Sequence, residues 1–247
     1  MLKKFGLTDA KPVSTPSDPN VKLVKDDGVS KRVGDGTVYQ SMVGSLLFVS
    51  TATRPGIVQA VGAVLKFCSQ PNATHFMAVK RILRYLNGTR DLALKYHKSQ
   101  EPLTGFSDAD FAGDQDDRHS TSGNAFIFGN SVISWLSKKQ PVVTLSTTEA
   151  EYIALSLAAQ DAIWLQKLLM ELKVPPQPIT LIEDNQGAIA LTKNPVTHSR
   201  TKHIDIRFHF VCEVLEKDVI KIKYCPTEEM VADLLSKPLP KGTFEKL

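Results

Sequence analysis

The chain has 247 residues, enough for one large domain or two small ones, and its 42% hydrophobic and 23% charged content fits an ordinary soluble globular class and excludes a fibrous or fully disordered one. No apolar run reaches bilayer length. The opening Met1-Leu2-Lys3-Lys4-Phe5-Gly6 lacks an apolar signal core, so an intracellular, non-secreted protein of cytoplasm or nucleus, without membrane contact, is expected. Net charge is +4, but residues 1–104 carry +8 and residues 105–247 carry −4. That split suits a polyanion held beside an acidic site, and equally two differently decorated surfaces. Cys68, Cys212 and Cys225 form no metal-ligand pattern and read as reduced thiols.

Residues 1–36, with Pro12, Pro16, Pro19, Gly28, Gly34 and Gly36 among scattered charges, are expected as a poorly ordered linker or tail. Residues 37–90 read as a small helical module. Its helices are expected near Tyr39 to Val49, Ile57 to Phe67 and His75 to Leu86. In the last of these, Met77, Ile82 and Leu86 are expected to face a core, with Lys80, Arg81 and Arg84 facing out.

Residues 91–247 change character. Leu92 to Tyr96 and Leu103 to Asp108 are strand candidates. Gly123 to Phe128 and Val132 to Leu136 are strands joined by a Gly129-Asn130 hairpin. Thr147 to Leu172 is the longest helix, with Leu155, Ala158, Leu165, Leu168, Leu169 and Leu172 as its apolar stripe. A buried-type strand follows at Ile179 to Ile182, then a short helix to Leu191. Residues 203–216 fit either period, and their length favours a helix. Val219 to Tyr224 is a strand, and Glu228 to Ser236 a final helix stopped by Pro238. This order predicts an α/β fold with a mixed five-stranded sheet and flanking helices.

Four carboxylates stand at strand ends or helix flanks: Asp108, Glu151, Asp184 and Asp233. Together they suit hard divalent cations, the equipment of two-metal phosphodiester hydrolysis. Each has a plainer reading as well. Asp108 fits turn chemistry, the preferred account of Asp110, Asp114, Asp116 and Asp117. Glu151 fits the dipole at a helix start. Asp184 fits a helix N-cap, and Asp233 an exposed partner of Lys237 at i+4. Glu149 differs from Glu151, because Ser146-Thr147-Thr148-Glu149 spells a capping box and gives Glu149 a structural task. His198, His203 and His209 accompany Arg200, Lys202 and Arg207 in a basic stretch that reads as surface or phosphate-facing.

Several segments resemble the C-terminal part of the Pol polyprotein of copia-type LTR retrotransposons. Tyr39-Gln40-Ser41-Met42-Val43-Gly44-Ser45-Leu46, Thr53-Arg54-Pro55 and Lys80-Arg81-Ile82-Leu83-Arg84-Tyr85-Leu86 resemble the helical segment after the polymerase palm. Ser107-Asp108-Ala109-Asp110, Ser146-Thr147-Thr148-Glu149-Ala150-Glu151-Tyr152, Glu183-Asp184-Asn185-Gln186 and Ala232-Asp233-Leu234-Leu235-Ser236-Lys237-Pro238-Leu239 resemble that family's ribonuclease H domain. The resemblance implies a ribonuclease H-like fold that cuts the RNA strand of RNA–DNA hybrids. It implies two Mg²⁺ ions, replaceable by Mn²⁺, on Asp108, Glu151, Asp184 and Asp233. It implies the rest of a Pol polyprotein as partner, while the basic residues Lys80, Arg81, Arg84, Arg200 and Lys202 are expected by their charge to contact phosphates. The Tyr-x-Asp-Asp turn of the polymerase centre is absent, and so are integrase and protease segments, so only the nuclease step is expected. Gly56 stands where the family usually has Asp. The stretch Tyr224-Cys225-Pro226-Thr227-Glu228-Glu229 lacks the loop His of many cellular ribonucleases H. The competing expectation is a catalytically idle remnant that at most binds nucleic acid.

Overall fold

A computed structural model describes residues 1–26, 28–31, 35–99, 101–193 and 202–247, with side chains in the helix starting at Lys202 described from Ile206 onward. In chain order the helices are α1 (Thr37–Ala52), α2 (Val58–Leu65), α3 (Ala73–Gly88), α4 (Thr147–Glu171), α5 (Gln186–Lys193), α6 (Lys202–Glu216), α7 (Asp233–Ser236) and α8 (Lys241–Lys246). The strands are β1 (Thr104–Asp110), β2 (Thr121–Phe128), β3 (Ser131–Lys139), β4 (Ile179–Glu183) and β5 (Ile220–Tyr224). Two compact units divide the chain. One comprises Met1–Leu94, Asp114–Arg118 and Lys237–Leu247, the other Lys95–Gly113 and His119–Ser236.

The first unit is helical. α1 buries Tyr39, Met42, Val43 and Leu46, and α3 buries Val79, Ile82, Leu83 and Leu86, the same i, i+3, i+4, i+7 spacing in both. α2 adds Val61 and Val64, and the Tyr39 hydroxyl donates to the Val64 carbonyl at 2.6 Å. Met77 lies off the α3 stripe and is exposed, against expectation. Asn72 caps α3 reciprocally with His75. The Asn72 side chain accepts from the His75 N–H at 2.9 Å, and His75 Nδ1 accepts from the Asn72 N–H at 3.1 Å. That leaves the ring proton on Nε2, which faces the Val24 carbonyl at 2.9 Å. The proline-bearing start of the chain carries one 3-10 turn, Lys3–Phe5, and runs along α3 as a strap. Arg84 Nε donates to the Lys11 carbonyl at 2.7 Å, and Arg81 reaches Thr15 at 3.0 Å and Asp18 at 3.4 Å.

The second unit is a mixed five-stranded sheet in the order β3-β2-β1-β4-β5. β1, β2 and β3 are antiparallel neighbours, whereas β1–β4 and β4–β5 are parallel. The β2–β3 hairpin turns at Gly129 and Asn130, both at positive φ, 62° and 61°, as a two-residue turn matching strand twist requires. α4 supplies Tyr152, Leu155, Ala158, Ala159, Ala162 and Leu165 to a core with Phe126, Leu181, Val211 and Ile220. Leu168 in the last turn of α4 and Leu172 just past its end, expected in the same stripe, are exposed. Leu92 to Tyr96 is not a strand. Nearby, two hydrogen bonds reach the hairpin: the Tyr96 hydroxyl to the Val132 carbonyl, and the His97 N–H to the Gly129 carbonyl. Residues 203–216 are helical, within α6. The single helix expected from Glu228 to Ser236 is instead a 3-10 turn, Thr227–Glu229, and the four-residue α7. Between them Met230 is extended (ψ 95°) and fully buried, so core packing breaks the helix there.

Candidate metal centre

Alternation along β1 sorts its side chains between two faces. Ala109 packs on Ala150 and Ala154 of α4. Phe106 packs on the opposite cluster of Cys225, Met230 and Ala232, and Asp108 shares its parity. Asp108 is 1% exposed and pairs across the ladder with Gly123 of β2. The Ser236 hydroxyl of α7 donates to Asp108 Oδ2.

The small residues Ala109, Ala150 and Ala154 bring the start of α4 close against β1. Gln140 fixes that start, its side-chain amide donating to the Ala150 carbonyl and to Ser122 Oγ, both at 2.9 Å. Ser146 caps α4 by accepting from the Glu149 N–H at 3.2 Å. The Glu149 carboxylate accepts from the Leu145 N–H at 2.8 Å, one residue before the cap. Glu149 is thus engaged in capping, while Glu151 turns toward Asp108.

Asp184 follows β4. Its Oδ2 accepts from the Thr227 hydroxyl at 2.5 Å. The cap of α5 is Asn185, whose side chain accepts from the Ala188 N–H at 2.9 Å, so the capping account of Asp184 falls away. Asp108, Glu151 and Asp184 each present an oxygen within 4.8 Å of the others. An all-oxygen set of this span fits a hard dication, whose opposite ligands lie roughly 4–5 Å apart.

Asp233 opens α7, is 3% exposed and is not one of the three gathered within 4.8 Å. It is therefore not in the exposed position that the plainer reading expects. It still belongs to the acidic surroundings of Cys225. Burial, then the charges of Asp184, Glu229, Glu183 and Asp233, push that thiol up to about 11. Glu183, fully buried, was not singled out from sequence. It shares the buried parity of Ile179 and Leu181, a signal that period-2 counting could have found. Burial holds its carboxyl well above the usual carboxylate range, with Asp184 and Asp108 adding to that and the Asn185 N–H opposing it. Asp110 ends β1 and folds over Gly113. Asp114 makes a turn, accepting from the Asp116 N–H at 3.0 Å, and pairs with Lys66 at 2.8 Å.

Among the basic residues, Lys80 is exposed, whereas Arg81 and Arg84 bind the strap. Lys202 begins α6, and Arg200 and His198 lie outside the described residues. Arg207 is half-buried. No helix among the described residues is long and apolar enough to cross a membrane.

Sheet order, strand directions and the helix crossing β1 define a ribonuclease H-like α/β fold. A solved structure of the foamy viral protease-reverse transcriptase in complex with RNA/DNA hybrid shares it, with a TM-score of 0.51, at 16% identity over 87% of this chain and 27% of that one. No family model matches the chain. It is 43% identical over 249 residues, 99% of its length, to the Retrovirus-related Pol polyprotein from transposon TNT 1-94 of Nicotiana tabacum, covering 19% of that protein. It is 39% identical over 247 residues, again 99% of its length, to the Retrovirus-related Pol polyprotein from transposon RE1 of Arabidopsis thaliana, covering 17%. The chain belongs to the copia-type retrotransposon Pol polyprotein family and spans less than a fifth of the length of these two relatives.

Proposed function

We propose that this chain is the ribonuclease H part of a copia-type Pol polyprotein and hydrolyses the RNA strand of RNA–DNA hybrids. The observation that carries this reading is the convergence of Asp108, Glu151 and Asp184 within 4.8 Å inside a ribonuclease H-like sheet. Residues 91–247 act as the nuclease domain, and residues 37–90 as the segment that follows the polymerase palm.

Two Mg²⁺ ions, or Mn²⁺ in their place, would supply an activated water and charge stabilisation at the leaving oxygen. Asp108, Glu151, Asp184 and Asp233 would hold them, with Asp108 serving both, Glu151 and Asp184 the water side and Asp233 the leaving side. Thr227 holds the Asp184 carboxylate by its hydroxyl, in the loop where a His shuttle is missing. The hybrid is read by shape and 2′-hydroxyl groups, without base sequence. Lys80, Arg81, Arg84, Arg200 and Lys202 are the phosphate-contact candidates, with exposed Lys80 the best placed of the three on α3.

The alternative is an idle remnant, favoured by one observation: Asp233 is not among the three gathered carboxylates. The test is cleavage of an end-labelled RNA–DNA hybrid by the purified chain in Mg²⁺ or Mn²⁺, against an EDTA control and single-stranded RNA. Metal-dependent cutting of hybrid RNA alone supports the nuclease. No cutting, with metal demonstrably bound, supports the remnant.

A further inference from the structure

We infer that Ser236 is a positioning residue for the metal centre, seated over Asp108 by the bare surface of Gly123, which deepens and rests on the proposed metal-dependent nuclease. Carboxylates gathered within 4.8 Å repel one another when charged, and the terminal torsion of an Asp side chain is soft. Without a restraint Asp108 would swing its oxygens away from Glu151 and Asp184. The Ser236 hydroxyl contributes such a restraint by donating to Asp108 Oδ2. Ser236 is fully buried and Asp108 1% exposed, so water does not compete. The other acceptor near Ser236 Oγ is the Asp233 carbonyl at 3.4 Å. The charged carboxylate is the stronger acceptor, so the proton goes to Asp108.

An independent feature explains how a helix of four residues can hold this geometry. α7 is too short to stand alone. It is anchored by Met230, Ala232 and Leu235, all buried. It lies against β2 at Gly123, the ladder partner of Asp108. A Cβ at Gly123 would stand 2.8 Å from the Ala232 carbonyl oxygen and 2.9 Å from Leu235 Cβ. Any side chain there lifts α7 off the sheet. Asp233 opens the same short helix, so one seating sets both Ser236 and the fourth carboxylate.

The experiment measures Mn²⁺ affinity of the full chain by electron paramagnetic resonance, together with the Mg²⁺ concentration that half-saturates the rise in melting temperature. Ser236→Ala is expected to weaken metal binding about 10–100-fold, the usual effect of losing a hydrogen-bond partner of a ligand. Ser236→Thr, which keeps the hydroxyl, should bind within about threefold of wild type. Ser236→Cys, near-isosteric with a weak donor, should fall between them and serves if the alanine variant does not fold. Gly123→Ala should weaken binding in the same direction with Ser236 intact. The double variant with Ser236→Ala should be no weaker than Gly123→Ala alone, because both remove one contact. Wild-type affinity in Ser236→Ala and Ser236→Cys, with Asp108→Asn binding no metal, would overturn the inference and leave the metal centre standing. No metal binding by the wild-type chain would overturn the metal centre itself.

Discussion

The two units treat charge in opposite ways. In the helical unit the cations turn back on their own chain: Arg54 to Thr89, Lys66 to Asp114, Arg81 to Thr15 and Asp18, Arg84 to Lys11. In the sheet unit, acids from β1, α4 and the end of β4 are drawn together at one place. Basic residues satisfied locally need no outside partner, whereas gathered carboxylates are costly unless something cationic joins them. A surplus of charge along a stretch of sequence therefore says less about ligands than the way its members are distributed in space.

The sharpest break of this contrast is Asp108→Asn. Hybrid cleavage should drop to background, and the melting-temperature rise with Mg²⁺ should vanish. In wild type that rise reflects about 2.7 kcal/mol when metal is at 100 times its Kd. Equal metal stabilisation of both proteins, read by calorimetry, would show that the acids are gathered for another reason.

Within the sheet unit, Glu149 and Glu151 separate capping from ligation. Glu151→Gln should abolish cleavage with unchanged or higher metal-free stability, since it relieves like-charge repulsion. Glu149→Gln should keep cleavage and lose about 0.5–2 kcal/mol in urea denaturation, the range for a disturbed cap. The reverse pattern would mean that α4 presents its other side to Asp108.

Asp161 gives a smaller, pH-dependent effect away from the centre. Burial raises its pKa above the ordinary 3.8, while the Asn124 hydrogen bond and Lys138 act against that. A carboxyl raised on folding contributes stability that is full below its unfolded pKa and is lost as pH rises through the folded one. Asp161→Asn keeps an oxygen for Asn124 and removes the titration. Its melting temperature should therefore gain on wild type from pH 4 to pH 7. A constant difference across that range would show that Asp161 stays ionised at no cost.

The mildest effects belong to the helical unit. Lys80→Ala should lower the salt slope of hybrid binding by about one, as for one phosphate contact. Arg84→Ala should instead speed proteolysis of residues 1–26 and cost roughly 1 kcal/mol. If Arg84→Ala flattens the salt slope as much as Lys80→Ala, the arginine is not held by the strap when hybrid is bound.

Most of the sheet unit was legible because its signals are local: the short apolar run of β4, the Gly129-Asn130 turn, and the long stripe of α4. Misreadings fell where tertiary packing decides. Met230 is an apolar residue that looks helical but dives into the core and splits the last helix. Leu168 and Leu172 keep the helical period and are still exposed. Of the candidate site, Asp108, Glu151 and Asp184 stood out as acids at element ends, and the structure brings these three together. Ser236 did not stand out, because its partner is 128 residues away in sequence and a serine in a short helix carries no pattern. Glu183 was hidden beside Asp184, although its strand parity points it inward.

The strap over α3 also acts as an electrostatic mask. A carbonyl, a hydroxyl and a carboxylate from the first eighteen residues occupy the guanidinium groups of Arg81 and Arg84. A chain trimmed to begin at residue 37 would uncover both groups beside Lys80 and create a three-cation stripe that the intact protein does not display. Such a trimmed chain should stick to heparin and to any nucleic acid, duplex or single-stranded, with steep salt dependence. Shortening the protein would thereby manufacture an affinity that the full chain keeps covered.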